Sequence, residues 1–433
     1  MLLEEFVKGP WAGYIKAERY VNEGSLSGLS QVHTTSERTQ PRSSYPSFEL
    51  SEVRFGNDVT LEDIGERCSN YVTDGCLFVH PDMLQPPYLP NSGSYSIERT
   101  VSVAPTASGR TVLVLGEEYF VKLAYLDYLG RLVRHVSREI VLSACEVTKQ
   151  LIAALNTKKL NPAFSILRED SGRIAHIPIA HFGHSTPALP TNESDCYEWG
   201  VLFRNCRPFP PVGDRELLVP FFALFSPEFS PTTGLPVATQ DKPLLIQLFE
   251  KQSKSIQDFL LNDILFPVFN TYFDALLFAG VELEAHSQNI LLTIDSECAI
   301  QRIVCRDLES AGRDLPVMEH MGIDHLRHGS YKFNTILPIE SGQKYQKYYI
   351  NHSFMFDFKL GEYLVTPLIE LANQYYPFDR DALTNVIKQF NRQFIDKLPT
   401  EFFPADWCSY ENINWDQEGR AKEYVWQDGP KYR

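Results

Sequence analysis

Glu284, His286, Gln288 and Asn289 lie within six residues, inside the stretch VELEAHSQN at 281–289. Arg306 and Asp307 follow after the length of one hairpin. Carboxylates and carboxamides are hard oxygen donors and suit Mg²⁺ better than zinc. Glu284, Asn289 and Asp307 are therefore candidate metal ligands, and His286, one side chain away, is a candidate donor to a phosphate oxygen. Such a set would hold a metal–nucleotide complex. Phosphoryl and nucleotidyl transfer need that arrangement, because positioning and charge neutralisation supply most of their catalysis. The competing reading is an ordinary polar loop between a helix and a strand, and the crowding of polar groups inside an apolar frame weighs against it.

A second candidate lies upstream. Residues 110–115 read as a strand, Gly116-Glu117-Glu118 as a turn and 119–127 as the returning strand. Pairing about Glu117 sets Val112 opposite Lys122 and Arg110 opposite Ala124. Arg110 and Lys122 then become diagonal neighbours on one face, roughly 7–8 Å apart. Two cations on one sheet face repel unless an anion lies between them, which makes the pair a candidate phosphate clamp, against the alternative of two solvated surface charges. Arg204 follows an apolar strand and is a candidate either for an acid's carboxylates or for a structural ion pair. Spacing alone also leaves a small-molecule kinase open. There a catalytic acid precedes a metal-binding Asn by five residues and a second Asp follows a hairpin, as Glu284, Asn289 and Asp307 do. No GxGxxG or GxxxxGK[ST] occurs, however.

The elements that must position these groups are legible in outline. At 433 residues the chain is long enough for two or three domains. The Pro-, Ser- and Thr-rich stretch 226–242 reads as a domain boundary. Helical spacing predicts helices over 59–71 and 139–155, one or two long buried helices over 243–280 stopped by Gly280, and a mainly helical C-terminal third at 353–374 and 381–397. Strands are expected at 76–79, 163–168, 199–204, 289–294 and 299–305, with the segment between 168 and 199 loop-rich. A short helix fits within 1–25, and 26–47 and 84–97 read as loops. Asn289 at the start of one strand and Asp307 at the end of its hairpin partner can therefore converge. The fold class is α+β, with antiparallel sheets and a helical C-terminal half.

Composition excludes several functions. A net charge of −15 gives no basic surface for nucleic acid or an anionic membrane. No apolar run is long enough to span a bilayer, and the N-terminus lacks a signal peptide's basic and apolar regions. Eight scattered cysteines without a CxxC pair read as buried free thiols in a reducing compartment, so a cytoplasmic protein is expected. His176, His181 and His184 invite a zinc reading, but no Cys or carboxylate at ligand spacing accompanies them. Ser108 lacks a partnered His and acid, so a phosphate-binding hydroxyl suits it better than a nucleophile.

EAHSQN followed by RD resembles the central E-x-H-x-Q-N, hairpin, R-D motif of the NRPS-independent siderophore synthetases, the IucA/IucC type. PTASGRT at 105–111 resembles that family's P-T-x-S-x-R-T motif and VKL at 121–123 its following K-L strand. Arg134 falls where the family has the Arg closing T-S-x-x-R. Arg110 to Lys122 and Lys122 to Arg134 are both twelve residues. His80-Pro81 resembles an H-P motif, and ILRE at 166–169, VLFRN at 201–205 and LLVPFFALF at 217–225 are weaker echoes. The resemblance covers roughly residues 76–433.

It implies a hand-like architecture of thumb (1–75, shortened), fingers (76–235) and palm (236–433). It implies an ATP- and Mg²⁺-dependent ligase that activates a carboxylic acid, commonly citrate or a citryl derivative, as an acyl-adenylate and passes it to an amine, hydroxylamine or alcohol. By position, Ser108, Arg110, Thr111, Lys122 and Arg134 would cradle the triphosphate, and His286, Gln288 and Asn289 would contact the nucleotide. Arg110, Lys122 and His286 would act in catalysis. Glu284, Asn289, Asp307 and Glu309 would hold Mg²⁺. Members often form homodimers, although no coiled-coil seam derives an oligomeric state here. The sequence departs from the family in three places. It has no counterpart of the early H-P-x-H-K-x-R-x-G segment, Gly130-Arg131 replaces T-S, and Ser287 stands where Gly is usual. These departures leave a catalytically degenerate binding subunit as a rival.

Overall fold

The computed structural model describes residues 1–8, 11–21, 35–66, 68–85, 88, 95–129, 132–157, 159–179, 196–211, 216–239, 241–326, 335–336, 352–400, 402–403, 407–412, 423–428 and 430–433. In chain order the strands that build the body are β1 (Phe48–Phe55), β2 (Thr60–Gly65), β3 (Cys76–Val79), β4 (Tyr95–Pro105), β5 (Thr111–Val114) and β6 (Tyr119–Leu123). They are followed by the small hairpin β7 (Tyr125–Leu129) and β8 (Leu132–Arg134), and by β9 (Phe164–Leu167), β10 (Ser171–Pro178), β11 (Cys196–Asn205), β12 (Pro208–Phe209) and β13 (Leu217–Pro220). Then come β14 (Val281–Glu282), β15 (Ile290–Ile294), β16 (Ile300–Cys305), β17 (Gly312–Asp314) and β18 (Thr335–Ile336).

Eight of these form one antiparallel sheet in the order β2-β10-β11-β6-β5-β4-β1-β3. Five form a second sheet, β12-β9-β16-β15-β13, in which only β9 and β16 run parallel. This second sheet draws strands from both the 76–235 and the 236–433 segments. Helix Arg138–Asn156 starts at Ser137, whose hydroxyl accepts from the Ile140 amide at 3.4 Å. It packs on β2, β10 and β11 and on helix Phe266–Ala279, and so ties the two halves together. Its Gln150 Nε2 donates to the Ala279 carbonyl at 2.5 Å. The apolar helices Leu244–Phe249, Phe266–Ala279, Phe354–Val365 and Thr366–Tyr375 surround the five-stranded sheet in one core, while the eight-stranded sheet builds another around Trp199 and Phe203. The fold is mixed α+β. No helix among the described residues is long and apolar enough to cross a membrane.

Several expectations need correction. Residues 59–71 do not form a helix: Thr60–Gly65 is β2, followed by a 3-10 turn at Cys68–Asn70. Six consecutive residues pair with β10, and Gly65 ends the strand at φ +82°, where a Cβ would meet the Asp170 carbonyl oxygen at 2.0 Å. Tertiary pairing outweighs local propensity here. The segment between 168 and 199 contains β10, whose residues are buried on both faces through Ala175, so polar–apolar alternation is invisible in its sequence. Strand β4 begins at Tyr95, inside the stretch read as a loop, and β1 has no counterpart among the expected strands. His176 pairs with Glu62 across the edge of the sheet at 3.1 Å, while His181 and His184 lie outside the described residues. The seven cysteines whose side chains are described are free thiols.

Candidate active site

Gly280 ends helix Phe266–Ala279 in the left-handed conformation (φ +64°), and β14 leads at once into residues 283–289. There Leu283, Ala285, Ser287 and Asn289 are buried, while Glu284, His286 and Gln288 between them are only half-buried. The hairpin β15–β16 then closes the loop, with Ile290 opposite Cys305 and the Arg306 amide on the Asn289 carbonyl at 3.0 Å. Asn289 and Asp307 therefore meet at one end of the hairpin. Asp307 is itself left-handed (φ +59°, ψ +51°), a conformation that Asp tolerates better than most residues. It bends the chain into the 3-10 turn Leu308–Ser310, which carries Glu309.

The eight-stranded sheet delivers the cations. Lys122 on β6 faces Leu202 on β11, so Arg204, two residues along, is its diagonal neighbour on the same face. Both are buried, and Asp307 Oδ1 accepts from Lys122 Nζ at 2.7 Å and from Arg204 Nη2 at 2.6 Å. Lys122 also pairs with Glu309. Arg204 donates through Nε to Glu169 Oε1 at 2.6 Å. Glu169, fully buried, further accepts the Asp307 amide (3.1 Å) and the Leu308 amide (2.9 Å). Burial acts against the Asp307 charge, yet Arg204, Lys122 and Arg306 outweigh it and hold the carboxyl well below the usual range. Burial lowers Lys122 to about 8 in spite of Asp307, with Arg110 adding to the fall, so it remains mainly protonated at neutral pH.

The diagonal cation pair is thus Lys122–Arg204 rather than Arg110–Lys122. The β5–β6 register is one residue off the expected one: Thr111, not Val112, faces Lys122, because the connection is the four-residue turn 115–118 with Gly116 at φ +84°. Arg110 precedes β5. It is half-buried and donates to the Arg134 carbonyl at 2.9 Å, with no carboxylate at ion-pair distance among the described residues. Burial and then the Arg134 guanidinium lower its pKa to about 9, and Asp307 only partly compensates. Ser108 does not aim its hydroxyl into the cluster; its Oγ accepts from the Thr111 amide at 3.1 Å and shapes the 106–111 turn, in which Gly109 sits at φ +70°. Thr111 is buried and its carbonyl accepts from Thr106. The Arg134 side chain is exposed.

The expected metal ligands separate. Carboxylate oxygens of Asp307, Glu309 and Glu169 lie within 4.8 Å of one another. Glu284 is outside that group, because Lys359 Nζ holds it at 3.0 Å. Asn289 Nδ2 donates to the Glu284 carbonyl (3.1 Å) and Oε2 (3.4 Å), so this carboxamide serves Glu284. Burial opposes the Glu284 charge, but Lys359 and His286 keep its pKa below the usual value. All-oxygen donors at this spacing fit Mg²⁺. Glu169 is committed to Arg204 and two amides, which leaves Asp307 and Glu309 as the pair that fits a cation. His286 Nε2 stands 3.9 Å from Glu284 Oε1, and burial lowers its pKa to about 4 against the pull of Glu284. Its Nδ1 accepts from the Gln288 amide at 3.2 Å, so the neutral ring carries its proton on Nε2. Gln288 contributes its carbonyl to Arg306 Nε at 2.8 Å.

Sequence reading misses Lys359 and the role of Glu169. The only signal for Glu169 is its place at the end of the ILRE echo. Nothing local marks Lys359, which arrives from a helix more than fifty residues downstream of Asp307.

No protein-family model matches the sequence, and no curated protein matches it significantly. Solved structures do match. The petrobactin biosynthesis protein AsbB from Bacillus anthracis str. Sterne aligns with a TM-score of 0.66 at 14% identity, covering 97% of this chain and 74% of its own. ATP-bound aerobactin synthetase IucA from a hypervirulent pathotype of Klebsiella pneumoniae aligns at 0.61 and 14% identity, covering 92% and 73%. Aerobactin synthetase IucC from the same source aligns at 0.59 and 14%, covering 92% and 71%. Over nearly all its length, then, the chain has the fold of these siderophore biosynthesis proteins.

Proposed function

We propose that the protein is an ATP- and Mg²⁺-dependent ligase. It joins a carboxylic acid, citrate or a relative, to an amine, hydroxylamine or alcohol through an acyl-adenylate, as in siderophore biosynthesis. The observation that carries this reading is Arg110: a half-buried guanidinium beside Arg134, without a carboxylate of its own among the described residues, at the rim of an acid–cation cluster. A cation held in such surroundings is compensated by a bound anion, and a polyphosphate fits. The ATP-bound neighbour of the same fold adds support. The reading includes the hand-like division at residues 75 and 235, a cytoplasmic location and a homodimer.

In this reading a carboxylate oxygen attacks the α-phosphorus, the bond to pyrophosphate breaks, and an acyl-adenylate forms. The nucleophile then attacks the acyl carbon, and AMP leaves with the bonding electrons. Arg110 and Lys122 offset the negative charge that grows on the phosphates. His286, neutral with its proton on Nε2, donates a hydrogen bond to a phosphate oxygen. Asp307 and Glu309 would hold Mg²⁺, which neutralises phosphate charge when bound. Glu284 serves the kinase reading poorly: a carboxylate tied to Lys359, with a lowered pKa, is a weak base.

The test is product analysis with ATP, Mg²⁺, a panel of carboxylic acids including citrate, and hydroxylamine as trap. AMP and pyrophosphate dependent on one acid are the expected products. ADP would replace this reading with a kinase, and ATP binding without turnover on any acid would favour a binding subunit.

A further inference from the structure

The N-terminal residues carry none of the sequence motifs singled out above, yet they reach the centre of the cluster. Glu18 is 1% exposed and lies on the short helical segment Ala17–Val21, which continues helix Ala12–Lys16. Its Oε1 accepts from Arg306 Nη1 at 2.5 Å, and its Oε2 accepts the Ala107 amide at 3.2 Å. One carboxylate therefore touches the 106–111 turn that leads from the eight-stranded sheet to Arg110, and the Arg306-Asp307 exit of the hairpin in the five-stranded sheet. Arg306 makes two further bonds: the same Nη1 also donates to Tyr14 Oη at 2.6 Å, and Nε donates to the Gln288 carbonyl.

The helix that presents Glu18 is fixed on both sides. Tyr14 packs on Phe120, two residues before Lys122, with ring centroids 5.6 Å apart. Arg19, next to Glu18, donates to the carbonyls of Pro41, Ser43, Tyr45 and Pro46. A buried ion pair gains little stability over a well-packed apolar pair, because desolvation opposes the attraction. What the Glu18–Arg306 pair adds is geometry: one carboxylate links the 106–111 turn itself to the Arg306-Asp307 exit, beside the Lys122 and Arg204 bonds to Asp307 that join the neighbouring strands to that exit.

We propose that Glu18 is a positioning residue, a strut that holds the Arg110 turn at its working distance from the Arg306-Asp307 exit. This inference rests on the nucleotide reading above only for its effect on ligand affinity. The strut itself is read out in the free protein.

The experiment compares full-length wild type, Glu18→Ala, Glu18→Gln and, as control, Glu5→Gln, which lies on the preceding helix and pairs with Lys16. Peptide-resolved hydrogen exchange and MgATP affinity are measured on each. In Glu18→Ala, exchange in residues 105–111 is expected to rise at least about tenfold while the rest of the eight-stranded sheet is unchanged, and MgATP affinity to fall by about tenfold. Glu18→Gln keeps an oxygen for the Ala107 amide but loses its charge, and is expected to show a smaller change in both. Glu5→Gln should change neither. Unchanged exchange at 105–111 in folded Glu18→Ala overturns the proposal. So does a uniform rise across all peptides, which would mark a merely structural residue. Should Glu18→Ala fail to fold, Glu18→Gln is judged by the same two criteria. A wild type that binds no MgATP would refute the nucleotide reading, while the exchange comparison would still decide the strut.

Discussion

Asp307→Asn separates what the cluster does for stability from what it does for chemistry. Asn keeps the shape and adopts the left-handed backbone at least as well as Asp, so only the charge is lost; Ala would add the left-handed cost of about 1 kcal/mol. Lys122 and Arg204 keep a carboxamide oxygen in place of Oδ1 but lose its charge, at 2.7 and 2.6 Å, and neither is stranded: Lys122 keeps Glu309 and Arg204 keeps Glu169. The loss is therefore smaller than the 3–5 kcal/mol of breaking a buried pair outright, and about 2 kcal/mol is expected. Glu169→Gln should cost more, about 3 kcal/mol, because an amide NH₂ would face Arg204, the Asp307 amide or the Leu308 amide inside a fully buried site. Urea unfolding at pH 7, followed by tryptophan fluorescence, measures both. ATP-dependent product release should fall by at least about 100-fold in Asp307→Asn, since the carboxylate proposed to hold Mg²⁺ is gone. The reasoning is refuted if Asp307→Asn keeps product release within tenfold of wild type, or if Glu169→Gln is no less stable than Asp307→Asn.

Three further perturbations test separate parts of the argument. Arg110→Ala removes one bond to a carbonyl and relieves repulsion with Arg134, so it should cost no more than about 1 kcal/mol in urea while weakening MgATP binding at least about tenfold by calorimetry. Gly280→Ala places a Cβ 2.1 Å from Met318 Cγ at a backbone φ of +64°, and should cost about 2 kcal/mol of stability in a urea melt. His352 lies fully buried between Glu282 (2.7 Å) and Asp314 (3.1 Å). Burial lowers its pKa, but the two carboxylates outweigh burial and raise it to about 9. The folded state then binds more protons than the unfolded state between about pH 6.5 and 9. Stability should be fullest below pH 6.5 and fall by about 3 kcal/mol as pH rises through 9, a slope that His352→Gln should remove.

Elements with a strong local signature are legible in the sequence. The 3.6-residue spacing of EIVLSACEVTKQLIAAL gives the helix Arg138–Asn156 almost to its ends, and Gly280 marks the stop of helix Phe266–Ala279. The hairpin β15–β16 is found because apolar runs flank a short polar turn. The failures share a cause. Strand β10 is buried on both faces, so it lacks alternation, and β2 carries a spacing compatible with a helix until β10 pairs with it. β2 and β10 pair with each other across more than a hundred residues, and no window of local sequence contains both.

The site divides in the same way. The nearness of Asn289 to Asp307 is legible because adjacency in one loop and one hairpin is a property of local sequence. The register error at β5–β6 shows how narrow that reach is: one extra turn residue hands the diagonal place beside Lys122 from Arg110 to Arg204. The consequence is chemical. With Arg204 beside Lys122, the two cations are already compensated by Asp307, Glu309 and Glu169, and the cluster is a neutralised platform rather than an empty clamp. Arg110 stands at the edge of that compensation: it donates to the Arg134 carbonyl and has no carboxylate at ion-pair distance among the described residues. On the proposed ligase reading, an incoming polyphosphate gains most where charge is least compensated, so its first strong contact would fall to Arg110, and a metal would compete with Lys122 for Asp307 and Glu309. Metal binding is therefore expected to depend on nucleotide, because phosphates that draw Lys122 toward themselves release the carboxylates that the metal needs.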